Sequence, residues 1–388
     1  MIAGLENAFS PFVGQRKKSL LWIDDIAPID SLGSGYPRAR AIVLMAARLG
    51  WHVTIYPLAH SGLSEAELRR FFPPDIELID EGCRDTLHAY LKKYAYQFDV
   101  VIVSRTGNRL AVERIIDQEP NLFAPCRLVY DSEALLAERL LIQQAQHGTV
   151  VDKIKAEASI EAEIKQISEK FDAISCVSNR EMDHFRASVS LEKQVTVLNL
   201  PLQIESNTPT FQERSGLLFV GRLMEQTSPN WLGLMWFLES VWPLLRETNS
   251  HMTLTIVGRY VGDSPPVEIE GVRWVGGADN LQPYYDQARL FIAPVFIATG
   301  IPLKVINAVA AGVPVVGTER MAELLQWPSS ALPVSSTALG FAQAISATHD
   351  DFLCWSDVRK ASQELIRTQY SVDGFRKSLL KILGHEAT

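Results

Sequence analysis

The chain has 388 residues, 47% hydrophobic and 21% charged, with 23 glycines and 20 prolines; that composition excludes disorder and fibres and leaves room for two or three domains at roughly 150 residues each. Its net charge of −8 offers no global attraction for phosphate backbones, so nucleic acid is not an expected partner. Cys83, Cys126, Cys176 and Cys354 are far apart with no Cys-x-x-Cys pair, and no apolar run reaches the ~18 residues of a membrane span; a cytoplasmic protein without zinc or disulfides is expected, at most peripheral at the inner face of a membrane.

In chain order, short apolar runs predict strands at 20–23, 52–56, 100–103, 128–130, 173–177 and 195–198. Most lack polar alternation, as strands buried on both faces do. Between them lie helical patterns such as Ala39 to Leu49, closed by Gly50 in a left-handed cap, and the Ile160, Ile164, Ile167, Phe171 series. The Leu87, Tyr90, Leu91, Tyr94 stripe beside Lys92 and Lys93 reads as a packed helix rather than a membrane contact.

Residues 200–215 are polar, carry prolines and show neither period, which predicts a linker. A second series follows, with strands at 217–220, 254–257, 272–275, 290–293 and 313–316 and helices at 232–246, 284–288 and 303–311. Trp231, Trp236, Phe237 and Trp242 fall near helical spacing and read as core. The tail is helical in pattern. The expected organisation is an α/β chain of two Rossmann-like doubly wound domains, 1–199 and 216–365, with a C-terminal helix over 366–388 that packs back on the first. Ligands of such sheets bind at the carboxyl ends of the strands, which predicts a cleft between the domains.

Three strand-end loops carry the candidate chemistry. After the first strand, Asp24-Asp25 leads through Gly33-Ser34-Gly35 into a helix at Pro37, where glycine backbone and a helix N-terminus suit a phosphate, although the same sequence also makes an ordinary turn. Thr299-Gly300-Ile301-Pro302-Leu303-Lys304 opens a helix through Asn307, with Pro302 expected in its first turn; together with Gly221-Arg222 after another strand it forms a plausible anion clamp. Against this, Arg222 and Lys304 also read as ordinary solvated charges. Ser104-Arg105-Thr106-Gly107-Asn108 and Asp131-Ser132-Glu133 place polar groups at two further strand ends, for acid, base or hydroxyl contacts or simply as helix caps. No metal-ligand spacing, Gly-x-Ser-x-Gly elbow or Walker lysine occurs.

Gly216 through Arg222, Ser228-Pro229-Asn230, Val241-Trp242-Pro243, Thr255 to Gly258, Ala288 to Pro294, Thr299 to Val305 and Ala310 to Val316 resemble, in order, the donor-binding half of glycosyltransferase family 4. Gly33 to Arg38, Ser104-Arg105 with Asn108, and Tyr130 to Leu135 with Arg139 are similar to a bacterial branch of that family. The resemblance implies the GT-B fold and a retaining, hexosyltransferase-like enzyme of polysaccharide biosynthesis, which moves a sugar from a nucleotide-sugar donor to a glycan or lipid-linked acceptor without a bound metal or other cofactor. It further implies Arg222 and Lys304 as catalytic, and Gly33, Ser34, Gly35, Gly221, Thr299, Gly300, Ile301, Pro302 and Asn307 as donor-binding beside them. Arg105, Asn108 and Glu133 would meet the acceptor.

The chain departs from the family in three places. Thr299 and Asn307 stand where two glutamates are usual, the lysine expected a few residues after Arg222 is missing, and no histidine follows Glu133. The alternative is therefore a catalytically inactive protein of the same fold that binds a nucleotide sugar or a partner glycosyltransferase. An epimerase or phosphorylase would need further cleft carboxylates or a phosphate site, for which the sequence offers no specific candidate.

Overall fold

The computed structural model describes the chain except residues 1–16, 31–34, 81, 134, 136, 138–139, 141–152, 189–192, 263–266, 299 and 385–388. The chain divides into two compact units, 1–200 with 375–388, and 201–374.

The first unit is a seven-stranded parallel sheet in the order β3-β2-β1-β4-β5-β6-β7. Its strands are β1 (Ser19–Asp24), β2 (His52–Pro57), β3 (Ile76–Leu78), β4 (Val100–Ser104), β5 (Arg127–Asp131), β6 (Ala173–Cys176) and β7 (Gln194–Val197). Six match the predicted runs; β3 is a three-residue edge strand too short to show a period. Its helices are α1 (Tyr36–Arg48), α2 (Glu65–Leu68), α3 (Leu87–Tyr94), α4 (Thr106–Gln118), α5 (Lys153–Lys170) and α6 (Asn179–Ser188). Gly50 follows α1 at φ +87°, a conformation open to glycine at little cost. Leu87 and Leu91 of α3 are buried with Ile164, Ile167 and Phe171 of the α5 series, and Tyr90 and Tyr94 pack against that core. This is a packed helix, with Lys92 paired outside to Glu119 at 2.8 Å.

The second unit has a five-stranded parallel sheet, β10-β9-β8-β11-β12, from β8 (Ser215–Val220), β9 (Leu254–Val257), β10 (Val272–Gly276), β11 (Ala288–Ala293) and β12 (Val315–Gly317). Its helices begin with α7 (Pro229–Trp236), a π-helical turn (Phe237–Val241) and α8 (Trp242–Thr248), where the sequence predicts one continuous helix. The helical path is unbroken from Pro229 to Thr248, as predicted, and Pro243 explains its π-helical turn, because it donates no N–H and its ring crowds the preceding turn. Phe237 and Trp242 are buried and Trp231 and Trp236 pack against the same core. Then follow α9 (Gln282–Gln287), α10 (Leu303–Ala310), α11 (Glu319–Leu325), α12 (Ala338–Asp350) and α13 (Phe352–Gln369), while the last helix, α14 (Val372–Ile382), belongs from Phe375 onward to the first unit. No described helix is long and apolar enough to cross a membrane.

The segment read as a linker is attached to the second unit. Fully buried Arg214 donates to the carbonyls of Tyr285, Ala288 and Ala311, and Leu202 N donates to Tyr370 O at 2.8 Å. At the other end of the chain, Arg127 Nε of the first unit holds the Ile382 carbonyl at 2.9 Å.

Candidate functional site

In each sheet the strand order reverses beside its first strand, between β1 and β4 in one unit and between β8 and β11 in the other. Such switch points leave a crevice at the carboxyl ends of the strands. The candidate residues gather at both.

In the second unit three glycine-bearing loops lie edge to edge. Gly221 N donates to Val257 O at 2.9 Å and Gly258 N to Gly276 O at 2.7 Å. A Cβ on Gly258 would stand 1.6 Å from the Gly221 carbonyl oxygen, so only glycine permits this approach. The loops line a pocket of about 450 Å³ with Val220, Met224, Val257, Ala278 and Leu281 as apolar surface and Arg222, Arg259 and Lys304 as cations. No carboxylate is among its described lining residues.

Lys304 enters from the first turn of α10. It is half-buried, and burial pulls its ammonium down to about 8. Its Nζ donates to Asn230 Oδ1 at 3.3 Å, and Asn230 Nδ2 donates to the Arg222 carbonyl at 3.3 Å. Asn230 sits near the start of α7, whose Ser228 cap accepts from Trp231 N. Thus Gly221, Arg222 and Lys304 come together. Gly300 adopts φ +70°, and Arg320 anchors the loop before it by donating to the Ala298 carbonyl at 2.7 Å. Pro302 stands at the N-cap of α10, just outside the first turn where the sequence places it. Ile301 and Asn307 are half-buried beside and on this helix, outside the lining of the pocket. Thr299 lies outside the described residues, as do Gly33, Ser34 and Arg139.

In the first unit Arg105 is the centre. Its Nε donates to Asp24 Oδ1 at 2.7 Å, one terminal nitrogen donates to Glu133 Oε2 at 2.7 Å, and its guanidinium lies 4.2 Å from the centre of the Tyr36 ring. Arg105 adopts φ +74°, a strained conformation for a side-chain-bearing residue. Asp24 is fully buried, and this burial pushes its carboxyl up to about 7 against the pull of Arg105. Glu133 also crosses Gly35, where a Cβ would meet its Oε1 at 2.0 Å. The surface of Gly35 that the sequence offers to a phosphate is thus occupied by an internal carboxylate.

Two strand-end expectations change. Asn108 is wholly buried and donates to the Ser104 carbonyl at 2.7 Å; a polar side chain one turn into α4 satisfies the helix rather than facing an acceptor. Asp131 is structural, held by Arg38 at 2.6 and 2.9 Å and by Ser104 and Ser175. Tyr36, Asp24, Asn230, Arg320 and Arg259 were not among the site residues read from sequence. Only the β1 and β9 positions of Asp24 and Arg259 offered a signal, since strand ends in parallel sheets are where ligands bind.

Residues 214–351 match the family model described as glycosyl transferases group 1. The structure is similar to HepE of Anabaena in complex with UDP, at 12% identity and TM-score 0.68 over 95% of this chain and 99% of that one. It is also similar to sucrose-phosphate synthase from Thermosynechococcus elongatus, at 16% identity and TM-score 0.62 over 94% and 98%. A glycosyltransferase from Rickettsia africae matches at 13% identity and TM-score 0.63 over 95% and 98%. No curated protein matches the sequence. The fold is GT-B.

Proposed function

We propose that this protein is a retaining glycosyltransferase that binds a nucleoside-diphosphate sugar in the second unit and passes the sugar to a hydroxyl of a glycan or lipid-linked acceptor in bacterial polysaccharide synthesis. The observation that carries the reading is the pocket at the β8–β11 switch point, with three cations, apolar walls and no carboxylate among its described lining residues. A nucleoside diphosphate has the matching chemistry, a flat base for the apolar wall and a multiply charged phosphate pair for the cations. The match over 214–351 supports the same assignment. UDP is the first nucleotide to test, because HepE is described with UDP and UDP-glucose bound.

In the transfer, the bond between the anomeric carbon and the β-phosphate oxygen breaks, the bond to the acceptor oxygen forms, and the hydroxyl proton is released. Charge accumulates on the departing diphosphate. Arg222 and Lys304 are the residues placed to stabilise it, which is the electrostatic work that dominates such reactions. In this proposal they do so without a metal. Arg105 and Glu133 in the first unit are the acceptor-contact candidates, and Asn307 takes the donor-binding role that the family resemblance implies.

The test is thermal unfolding of the full chain against UDP, GDP, ADP and their sugar conjugates, with and without magnesium, followed by donor-hydrolysis and transfer assays. Binding to the native state raises the midpoint. A selective rise that does not require magnesium, with turnover, is expected. A rise without hydrolysis or transfer would make the protein a nucleotide-sugar-binding relative without activity, and no rise with any nucleotide would overturn the donor site.

A further inference from the structure

We propose that Arg259 is a second guanidinium for the donor diphosphate, paired with Arg222 across two neighbouring strand-end loops; the proposal rests on the donor-site reading above. Strands β8 and β9 pair in register, ending at Val220↔Val257. The loops keep that register beyond the sheet, through Leu223 N to Arg259 O at 2.8 Å and an isolated parallel bridge Leu223↔Tyr260. Arg222 and Arg259 therefore occupy facing positions, one strand spacing of about 4.8 Å apart. Both are exposed and line the same pocket.

Two like charges in facing positions repel. Among the described residues neither arginine has a carboxylate within ion-pair distance, whereas Arg105, Arg109 and Arg246 all do. The arrangement is thus one that an anion would relieve. The path of the Arg259 side chain is also prepared. A Cβ on Gly277 would lie 2.7 Å from Arg259 Cγ and 3.0 Å from its Nε, so the arm runs flat across the Gly277 backbone. That backbone is presented by a register shift between Trp274 and Gly276 and by Gly276 at φ +80°. A glycine loop on the third strand therefore lays the Arg259 arm along the pocket beside Arg222. It supplies from β9 the charge that the segment after Arg222 lacks, since residues 223–230 contain no lysine or arginine.

The experiment is calorimetric titration of the full chain with inorganic pyrophosphate and with UDP, for wild type, Arg259→Ala, Arg259→Lys and Gly277→Ala, at two salt concentrations. A charged hydrogen-bonding contact predicts a loss of ~10-fold or more for Arg259→Ala with both ligands, and a shallower salt dependence. Arg259→Lys should recover part of the loss, because a point charge replaces a fork. Gly277→Ala should lose affinity by displacing the arm. Arg259→Ala binding both ligands within twofold of wild type would overturn the inference while leaving the donor site standing. Loss confined to UDP would also overturn it, by placing Arg259 on the nucleoside. A wild type that binds neither ligand would overturn the donor-site reading and this inference together.

Discussion

Lys304 Nζ donates to Asn230 Oδ1 at 3.3 Å, and the described residues that line the pocket with Lys304 include no carboxylate. Asn230 spans the loop that carries Arg222 and the first turn of α10 that carries Lys304, because its Nδ2 donates to the Arg222 carbonyl. Removing that span in Asn230→Ala should weaken nucleoside diphosphate binding several-fold, with little loss of stability at a half-buried position. Asn230→Asp should be worse despite its closer shape, since a carboxylate would neutralise Lys304 and repel the diphosphate. Titration calorimetry of both variants decides this; equal affinities in wild type and Asn230→Asp would remove Asn230 from the site.

The burial that lowers Lys304 to about 8 makes donor binding sensitive to pH. Below pH 8 the ammonium is already charged and meets the diphosphate directly; above it, binding must take up a proton. The phosphate groups ionise near pH 6 and add no slope there. Nucleotide affinity should therefore hold between pH 7 and 8 and fall about tenfold per unit once pH passes well above 8. Lys304→Ala should flatten that fall and, with Arg222→Ala, lower turnover by ~10²-fold or more. A wild-type affinity independent of pH from 7 to 10 would show that Lys304 does not meet the phosphate.

Arg105 holds Asp24 and Glu133 in the first unit from a backbone conformation with φ +74°. Arg105→Ala leaves the fully buried Asp24 without its cation, so the carboxyl, already raised to about 7 by burial, should rise further and stay protonated at neutral pH, and Glu133 should lose its anchor. The expected result is a raised acceptor KM or lowered transfer rate, with nucleoside diphosphate affinity within twofold of wild type. A change confined to nucleotide affinity would contradict the acceptor assignment.

Gly258 offers a structural check on the loops that build the donor pocket. In Gly258→Ala the new methyl would meet the Gly221 carbonyl at 1.6 Å, and backbone cannot yield as a flexible side chain does. A loss of about 1–3 kcal/mol in urea unfolding is expected for such overpacking, with weakened nucleotide binding. Wild-type stability in this variant would mean that the β8 and β9 loops are less closely apposed.

Much of the second unit's site was legible in the amino-acid sequence. Gly221, Arg222, Gly300 and Lys304 each follow or precede an apolar run that becomes a buried strand or helix, and burial on both faces of a parallel sheet writes itself as uninterrupted Val, Ile and Leu. The same signal located β1, β4 and β5 and the loops holding Arg105 and Glu133. It could not find β3, whose three residues are too short for any period. It also placed Asn108 at an acceptor surface, although its position in α4 turns it inward.

The sequence by itself determined two series of buried strands with helices between, and which loops end in glycine and charge, because periodicity and turn chemistry act over a few neighbouring residues. Only the tertiary structure decided which of those loops stand side by side. Arg222 and Arg259 face each other because β8 pairs with β9, and Glu133 covers Gly35 because the sheet order brings β5 to within one strand of β1, with only β4 between them. Strand order is set by the packing of whole layers, and no local pattern of residues encodes it.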